Sequence, residues 1–218
     1  MEAVDLISNL LGDTVNSGVM IFRGVSDAQK HKLIPSIGRN EYSSNKEKTL
    51  FESFKRFSLP FLEKIPDNDW DWLSIAQHHG LETRLLDWSD NPLVALFFAS
   101  KANPKIDGMV HGYEVPGYAQ SDHWDFLKDR DPLKDLPEKF FIFRPKDFSL
   151  RISAQKGLFT VSKDPTEEVK SKSKFKVPGE LKNNILAVLE RIGVSERSLF
   201  PGLDSMAKEL NREFRKYR

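Results

Sequence analysis

The longest apolar run in the chain, Pro92 to Ala99, restricts the folds that this sequence can adopt. Proline suits the first turn of a helix, and Asp90 just before it can accept hydrogen bonds from free backbone amides, so the run should be helical. A helix that is apolar on every side has to be buried in a core. The run is also far too short to cross a bilayer. The chain must therefore fold around this helix.

The composition is typical of one globular domain. The chain has 218 residues, of which 39% are hydrophobic and 30% are charged, so it is long enough to bury a core without covalent cross-links. A net charge of +1 argues against a protein that mainly coats phosphate backbones, and the absence of cysteine excludes disulfides, thiolate zinc sites and cysteine nucleophiles. The N-terminal segment carries acids where a signal peptide carries Lys or Arg, so we expect a cytoplasmic protein without a membrane partner.

Hydrophobic periodicity predicts an α+β fold with small mixed or antiparallel sheets, a buried central helix and C-terminal helices. The predicted helices cover residues 4–11, 46–57, 70–79 and 92–99, and the predicted strands cover residues 19–22, 108–115, 140–143 and 157–161. Asp69 and Asp90 are the expected N-caps of the third and fourth helices. The segment from Lys163 to Lys176, rich in Lys, Ser and Glu, is expected to be a solvated loop. Two amphipathic helices, around residues 181–192 and 203–214, should follow it and lie on the outside.

Three segments combine polar side chains with the ends of strands or helices. Phe22-Arg23-Gly24 places an arginine after a buried strand, where its guanidinium could clamp a phosphate or a carboxylate while the glycine lets a ligand approach. Residues 77–92, with the sequence QHHGLETRLLDWSDNP, crowd hydrogen-bonding groups into the connection between two helices. Residues 151–160 form a polar loop that leads into a strand, with Gln155 just before that strand.

Each of these residues also has an ordinary structural explanation. Arg23 could make a salt bridge at the rim of the core, Thr83 could be a cap, Arg84 and Asp87 could form an ion pair, and Trp88 could be a core residue. The whole run from 77 to 92 is harder to explain in this way, because so many polar groups next to an apolar helix need partners. We therefore expect this run, together with Arg23, to line or support one concave site.

The sequence gives little support to metal or hydrolase chemistry. His78 and His79 are adjacent, so on a helix they point in different directions and cannot share one ion. The sequence has no G-x-S-x-G elbow, no P-loop and no G-x-G-x-x-G. We expect no metal site.

Taken together, these segments resemble the FRG domain, a family of mostly bacterial and phage proteins named for an N-terminal Phe/Tyr-Arg-Gly. The residues that carry the resemblance are Phe22-Arg23-Gly24, Leu33 to Ser36 with Arg39, the block from Gln77 to Ala99, Arg151-Ile152 with Gln155, Gly157 and Phe159, and Leu199 to Asp204. The resemblance implies one FRG domain over residues 1–218, with an α/β body over 1–176 and a helical C-terminal bracket over 177–218.

The order of these elements is also similar to that of the arginine-serine-glutamate class of ADP-ribosyltransferases. In those enzymes an arginine at the end of the first core strand binds the pyrophosphate side of NAD, a Ser/Thr strand end braces the nicotinamide ribose, and a glutamate hydrogen-bonds the ribose hydroxyl as an oxocarbenium-like centre forms. By order, Arg23 matches the arginine, Ser89 or Thr83 matches the second element, and Gln155 stands where the glutamate is expected. Glutamine brings no negative charge to a developing cation, and Asp87 is the nearest substitute carboxylate.

This second resemblance implies NAD as a substrate, with Arg23, Asp87 and Gln155 as catalytic residues. The implied NAD-binding residues are Arg23, Gly24, Gln77, His78, Thr83, Arg84, Trp88 and Ser89. The protein would be an ADP-ribosyltransferase or NAD glycohydrolase, acting as a toxin or defence protein in a bacterial or phage conflict system on a protein or nucleic-acid acceptor.

Two alternatives stay open at this point. One is a non-catalytic module of the same fold that binds a nucleotide or a partner, which Gln155 favours. The other is nucleic-acid binding, which would use the segment from Lys163 to Lys176 and the basic residues at 212–218.

Overall fold

A computed structural model describes residues 2–15, 18–39, 41–115, 129–136, 140–146 and 153–215. Arg151 and Ile152 of the third motif lie outside these residues, as do the last three residues of the basic C-terminal end. The described residues form an α+β fold, as the sequence predicts. The helices are α1 (Ala3–Val15), α2 (Ser44–Ser58), α3 (Asp69–His78), α4 (Pro92–Ser100), α5 (Lys182–Arg191), α6 (Glu196–Leu199) and α7 (Leu203–Arg215).

The strands of the described residues form one six-stranded antiparallel sheet. They are β1 (Met20–Val25), β2 (Leu86–Ser89), β3 (Gly108–Glu114), β4 (Phe141–Phe143), β5 (Gly157–Val161) and β6 (Ser173–Val177). Their order across the sheet is β4-β5-β2-β1-β3-β6. In the part of the chain that the structure describes, no helix is long and apolar enough to span a membrane.

The sheet is nearly divided at its centre. β1 pairs with β3 at six positions but with β2 at only one, Phe22 opposite Ser89. The sheet therefore consists of two three-stranded halves, β4-β5-β2 and β1-β3-β6, that meet at this pair. Beyond it, β1 and β2 are not hydrogen-bonded to each other as strands, so a gap opens between them.

The helices cover one face of the sheet in two groups. α4 packs on β1 with α1 and α5 beside it, and Leu96 and Ile185 in this cluster are completely buried. α2 and α3 cover the half that contains β4 and β5, around Trp70 and Phe143. Because side chains alternate along a strand, the register places both groups on the face that carries Phe22. The prediction of a buried helix at 92–99 is confirmed.

The structure corrects several local predictions. Asn68 and Asn91, each one residue from the predicted aspartate, cap α3 and α4 by accepting hydrogen bonds from backbone amides. Part of the predicted loop from Lys163 to Lys176 is the edge strand β6. The first C-terminal helix, α5, is not on the outside, because it packs against α1 and α4 with Leu189 fully buried.

Candidate functional site

A cleft of about 260 Å³ lies at the gap between the two halves of the sheet. It is bounded by β1, β2, the C-terminal end of α3, the first turns of α4 and the residues before β5. The lining residues are Phe22, Arg23, Gly24, Gln77, Asp87, Trp88, Ser89, Val94, Ala95, Phe98 and Gln155. Of the candidate residues from the sequence, Arg23, Gly24, Gln77, Asp87, Trp88, Ser89 and Gln155 thus lie around one cavity, although they come from segments more than 130 residues apart.

Arg23 crosses the gap from β1 to β2. Its Nη1 donates to the backbone oxygen of Asp87 at 2.6 Å and lies 3.5 Å from the Asp87 carboxylate. Its Nε is buried and has no hydrogen-bond partner among the described residues. Burial is the largest influence on Arg23 and lowers its pKa from the ordinary value. Attraction to Asp87 opposes this shift, and repulsion from Arg39 adds to it. Arginine stays protonated all the same, so the cleft contains a fixed cation with unused hydrogen-bonding capacity.

A chain of hydrogen bonds holds the Asp87 carboxylate. Gln77 Nε2 donates to Asp87 Oδ2 at 2.9 Å, and Thr83 Oγ1 donates to Gln77 Oε1 at 2.6 Å. The backbone amide of Thr83 donates in turn to Ser36 Oγ at 3.1 Å. Thr83 is fully buried and reaches the cleft only through Gln77. This chain of hydrogen bonds explains the spacing of Gln77, Thr83 and Asp87 in the sequence, because together they fix the carboxylate that faces Arg23.

Ser89 and Gln155 stand on the other wall of the cleft. Ser89 Oγ donates to the backbone oxygen of Gln155 at 2.8 Å and accepts from the amide of Asn91 at 3.1 Å, which ties the end of β2 to both α4 and the start of β5. Gln155 Nε2 donates to the backbone oxygen of Leu199 at 3.0 Å. Within the described residues this leaves the Gln155 Oε1 as an acceptor for a ligand.

Arg84 and His78 do not line this cleft. Arg84 is buried, and its Nε and Nη2 donate to the two carboxylate oxygens of Glu47 at 2.8 and 2.5 Å. The pair that Arg84 could have formed with Asp87 is therefore absent, and Arg84 anchors β2 to α2 instead. His78 lines a neighbouring groove together with Lys101 and Phe200.

Sequence reasoning missed Glu47, Tyr42 and His111. The Tyr42 hydroxyl donates to Glu47 at 2.9 Å. Burial, together with the neighbouring Glu47 carboxylate, raises the pKa of Tyr42 to about 12. His111 lies opposite Arg23 in the β1–β3 register, and burial, aided by the charges of Lys174 and Arg23, lowers its pKa to about 4. His111 is therefore neutral at pH 7 and adds no charge beside Arg23. No short sequence motif connects any of these residues to the site.

Among the described residues no group of His, Cys, Asp and Glu is arranged to hold a metal ion. Trp88 is a buried wall of the cleft, and its Nε1 donates to Thr160 Oγ1 at 2.9 Å. The polar side chains that line the cleft are those of Arg23, Gln77, Asp87, Ser89 and Gln155.

Comparison with known proteins supports the resemblance to the FRG domain. Searches of curated proteins and of solved structures find no match for the chain. A protein-family model, that of the FRG domain, matches residues 18–107. The matched part contains β1, α2, α3, β2 and α4, and so includes Arg23 and the chain of hydrogen bonds that holds Asp87, whereas Gln155 lies beyond it. The chain carries an FRG domain over residues 18–107.

Proposed function

We propose that the cleft binds NAD and that the protein cleaves the bond between nicotinamide and ribose, transferring ADP-ribose to water or to a macromolecule. The observation that carries the proposal is Arg23, a cation with unpartnered nitrogen at a gap in the sheet, facing a wall built from Ser89 and Gln155. A guanidinium suits the phosphates of NAD, and hydroxyl and amide groups suit its ribose. A role in a bacterial or phage conflict system is part of this proposal and follows from the resemblance alone.

The chemistry needs three things from the chain. Arg23 would hold the phosphates, and the Ser89 hydroxyl and Gln155 Oε1 would position the nicotinamide ribose. As the glycosidic bond breaks, nicotinamide leaves with the bonding electrons and C1′ becomes cationic. The acceptor oxygen or nitrogen then attacks C1′ and loses its proton. Asp87 is the one carboxylate among the residues that line the cleft, so it would supply the negative charge that stabilises this cation.

The size of the cleft limits what it can enclose. Pockets that bury a drug-sized ligand measure roughly 300–1,000 Å³, and this one is about 260 Å³. We infer that it encloses the nicotinamide riboside end of NAD, while the adenosine end extends along the surface. A ligand held in this way would present C1′ inside the protein and leave the acceptor side open.

One observation favours a second candidate, a binding module without catalysis. The Asp87 carboxylate is already engaged by Gln77 and lies beside Arg23, so its charge is partly neutralised before any ligand arrives. Gln155 is uncharged. A site with this electrostatic balance would bind an anionic nucleotide but stabilise a cationic transition state poorly.

Two measurements on the purified chain separate these candidates: NAD binding by calorimetry and nicotinamide release by chromatography. We expect Arg23→Ala to abolish binding, and Gln155→Glu to increase nicotinamide release because it adds the missing charge. Gln155→Ala should lose whatever release the wild type has. Arg191→Ala, which removes the same charge from the exposed end of α5, is the matched control and should change neither quantity.

Binding without release in every variant would favour the module. The absence of both binding and release would refute the proposal.

A further inference from the structure

Gln155, in one wall of the cleft, is bonded to the C-terminal part of the chain. Its Nε2 donates to the backbone oxygen of Leu199 at 3.0 Å, across 44 residues of sequence. Its own backbone oxygen accepts from Ser89 Oγ at 2.8 Å, and Lys156, which follows it, has a left-handed φ of 46°. The backbone and the side chain of Gln155 are therefore both held in place. Its Oε1 has no hydrogen-bond partner among the described residues, and the residue lines the cleft.

The hydrogen bond to Leu199 accounts for an amide at position 155. Only the NH2 group of the side chain can donate to a carbonyl oxygen, so this bond decides which end of the amide faces Leu199 and leaves the other end, Oε1, for a ligand. A glutamate carboxylate in the same place would have no hydrogen to donate and would bring its charge against the Leu199 oxygen. Gln155→Glu should therefore bind ADP-ribose more weakly than the wild type, even where the added charge speeds the release of nicotinamide.

The direction of the Leu199 oxygen depends on Phe200. The C=O of Leu199 and the N–H of Phe200 belong to one planar trans peptide group, in which they point in opposite directions. The Phe200 N–H donates back into α6, to the oxygen of Glu196 at 2.9 Å. The Leu199 oxygen therefore points out of the C-terminal end of α6, where Gln155 donates to it.

The Phe200 ring is packed against α4. Its centroid lies 6.0 Å from that of Phe98 in an edge-to-face arrangement, and Lys101 Nζ lies 4.2 Å from it. Lys101 also pairs with Glu196 of α6 at 3.3 Å. Phe98 lines the cleft, whereas Phe200 and Lys101 line the neighbouring groove. Phe200 thus stands behind the wall of the cleft and fixes the end of α6 to α4.

We propose that Phe200 is a positioning residue of the cleft, which holds the peptide group after Leu199 so that Gln155 Oε1 is fixed toward the ligand. This inference rests on the proposed function and adds the C-terminal bracket to the machinery of the site. A fixed Gln155 offers a neutral acceptor to a ligand donor such as a ribose hydroxyl, and its side chain does not have to be ordered when the ligand binds. The affinity for the ligand then depends on Phe200, and this dependence passes through Gln155.

The test measures binding of ADP-ribose to the full chain by calorimetry. Phe200→Ala removes both ring contacts and should weaken binding roughly threefold to tenfold, because Gln155 must then be ordered by the ligand. Phe200→Tyr keeps the ring and should restore most of the affinity. Phe214→Ala, the same substitution at an exposed ring of α7, is the matched control and should bind as the wild type does. If Phe200→Ala does not fold, Phe200→Leu replaces it, because leucine keeps an apolar contact with α4 but has no ring.

A double-mutant cycle distinguishes positioning from a general effect on the fold. If Phe200 acts through Gln155, Phe200→Ala should weaken binding in the wild type and leave it unchanged in Gln155→Ala, which has no side-chain amide to position. A residue that only supports the fold would weaken binding by the same factor in both backgrounds.

Hydrogen exchange of the Gln155 side-chain amide, followed by NMR, gives a second measurement that needs no ligand. We expect slow exchange in the wild type and in Phe200→Tyr, because the amide is bonded to Leu199. Phe200→Ala should exchange as fast as a free glutamine.

The outcomes separate this inference from the proposed function. Equal losses from Phe200→Ala in the two backgrounds, or no loss in the wild type, would overturn the inference and leave the NAD site standing. If the wild type binds no ADP-ribose, the proposed function fails, and amide exchange alone then decides whether Phe200 fixes Gln155. Exchange that is the same in the wild type and in Phe200→Ala would overturn the inference in either case.

Discussion

Substituting Gly24 by alanine should destabilise the fold and distort the cleft together, because at this glycine β1 lies directly against the backbone of α4. A Cβ added at Gly24 would lie 1.7 Å from the backbone oxygen of Ala95 and 2.7 Å from the amide nitrogen of Ala99. Ordinary contacts begin at 3.4 Å, so the strand and the helix would have to separate by 1.7 Å. Both obstructing atoms belong to backbone and cannot rotate away.

Overpacking a core costs roughly 1–3 kcal/mol, and a backbone clash belongs at the upper end of that range. For a chain of this size, about 3 kcal/mol corresponds to a fall in melting temperature of roughly 6–12 °C. Urea and thermal unfolding of Gly24→Ala measure both quantities. Gly12→Ala is the matched control: nothing lies within 4 Å of the added Cβ, and alanine inside α1 should stabilise by about 0.5–1 kcal/mol. Unchanged stability of Gly24→Ala would show that α4 does not pack on β1 as described.

The remaining predictions concern two buried titratable groups, Glu47 and His111. Glu47→Gln leaves the buried Arg84 guanidinium without its carboxylate and should lower the free energy of unfolding in urea by about 3–5 kcal/mol. The control, Glu52→Gln on the same helix, breaks an exposed pair with Lys55 and should change that free energy by no more than about 0.5 kcal/mol. Equal losses in the two variants would contradict the buried pair. The pKa of His111 is about 4 in the folded chain, compared with its ordinary value of 6.5. Between these two pH values the unfolded chain binds more protons than the folded chain does. The free energy of unfolding should therefore fall as the pH drops from 6.5 to 4, by an amount of the order of 3 kcal/mol. His111→Asn should lack this part of the pH dependence, and a variant with the wild-type profile would refute the assignment.

Local patterns predicted four of the elements around the cleft, β1, α3, α4 and β5, but not β2, because residues 86–89 were expected to belong to the connection between two helices. The apolar run of α4 and the turn before it form a signal that needs no distant partner. The expectation that Arg23 follows the first strand was wrong, because β1 continues to Val25 through its pairing with β3, whereas Gln155 does lie just before β5. The two capping errors are small, because Asn68 and Asp69, like Asn91 and Asp90, are both good capping residues and only backbone geometry chooses between them.

What the sequence could not predict depends on contacts between distant segments. β6 has the composition of a loop because it is an edge strand whose lysines face solvent, and only its pairing with β3 makes it a strand. Arg84 lies near Asp87 in sequence but finds its carboxylate at Glu47, 37 residues away, because it points to α2 rather than into the cleft. The neutral state of His111 follows from its burial beside Lys174 and Arg23, which no short pattern encodes.

The most direct test of the central claim is a crystal structure of the full chain with ADP-ribose. We expect the ligand in the cleft between β1 and β2, with its phosphates within hydrogen-bond distance of Arg23 and its terminal ribose beside Ser89 and Gln155. ADP-ribose bound at another surface, or a cleft that stays empty at a ligand concentration that saturates binding in solution, would contradict the assignment of this cleft as the nucleotide site.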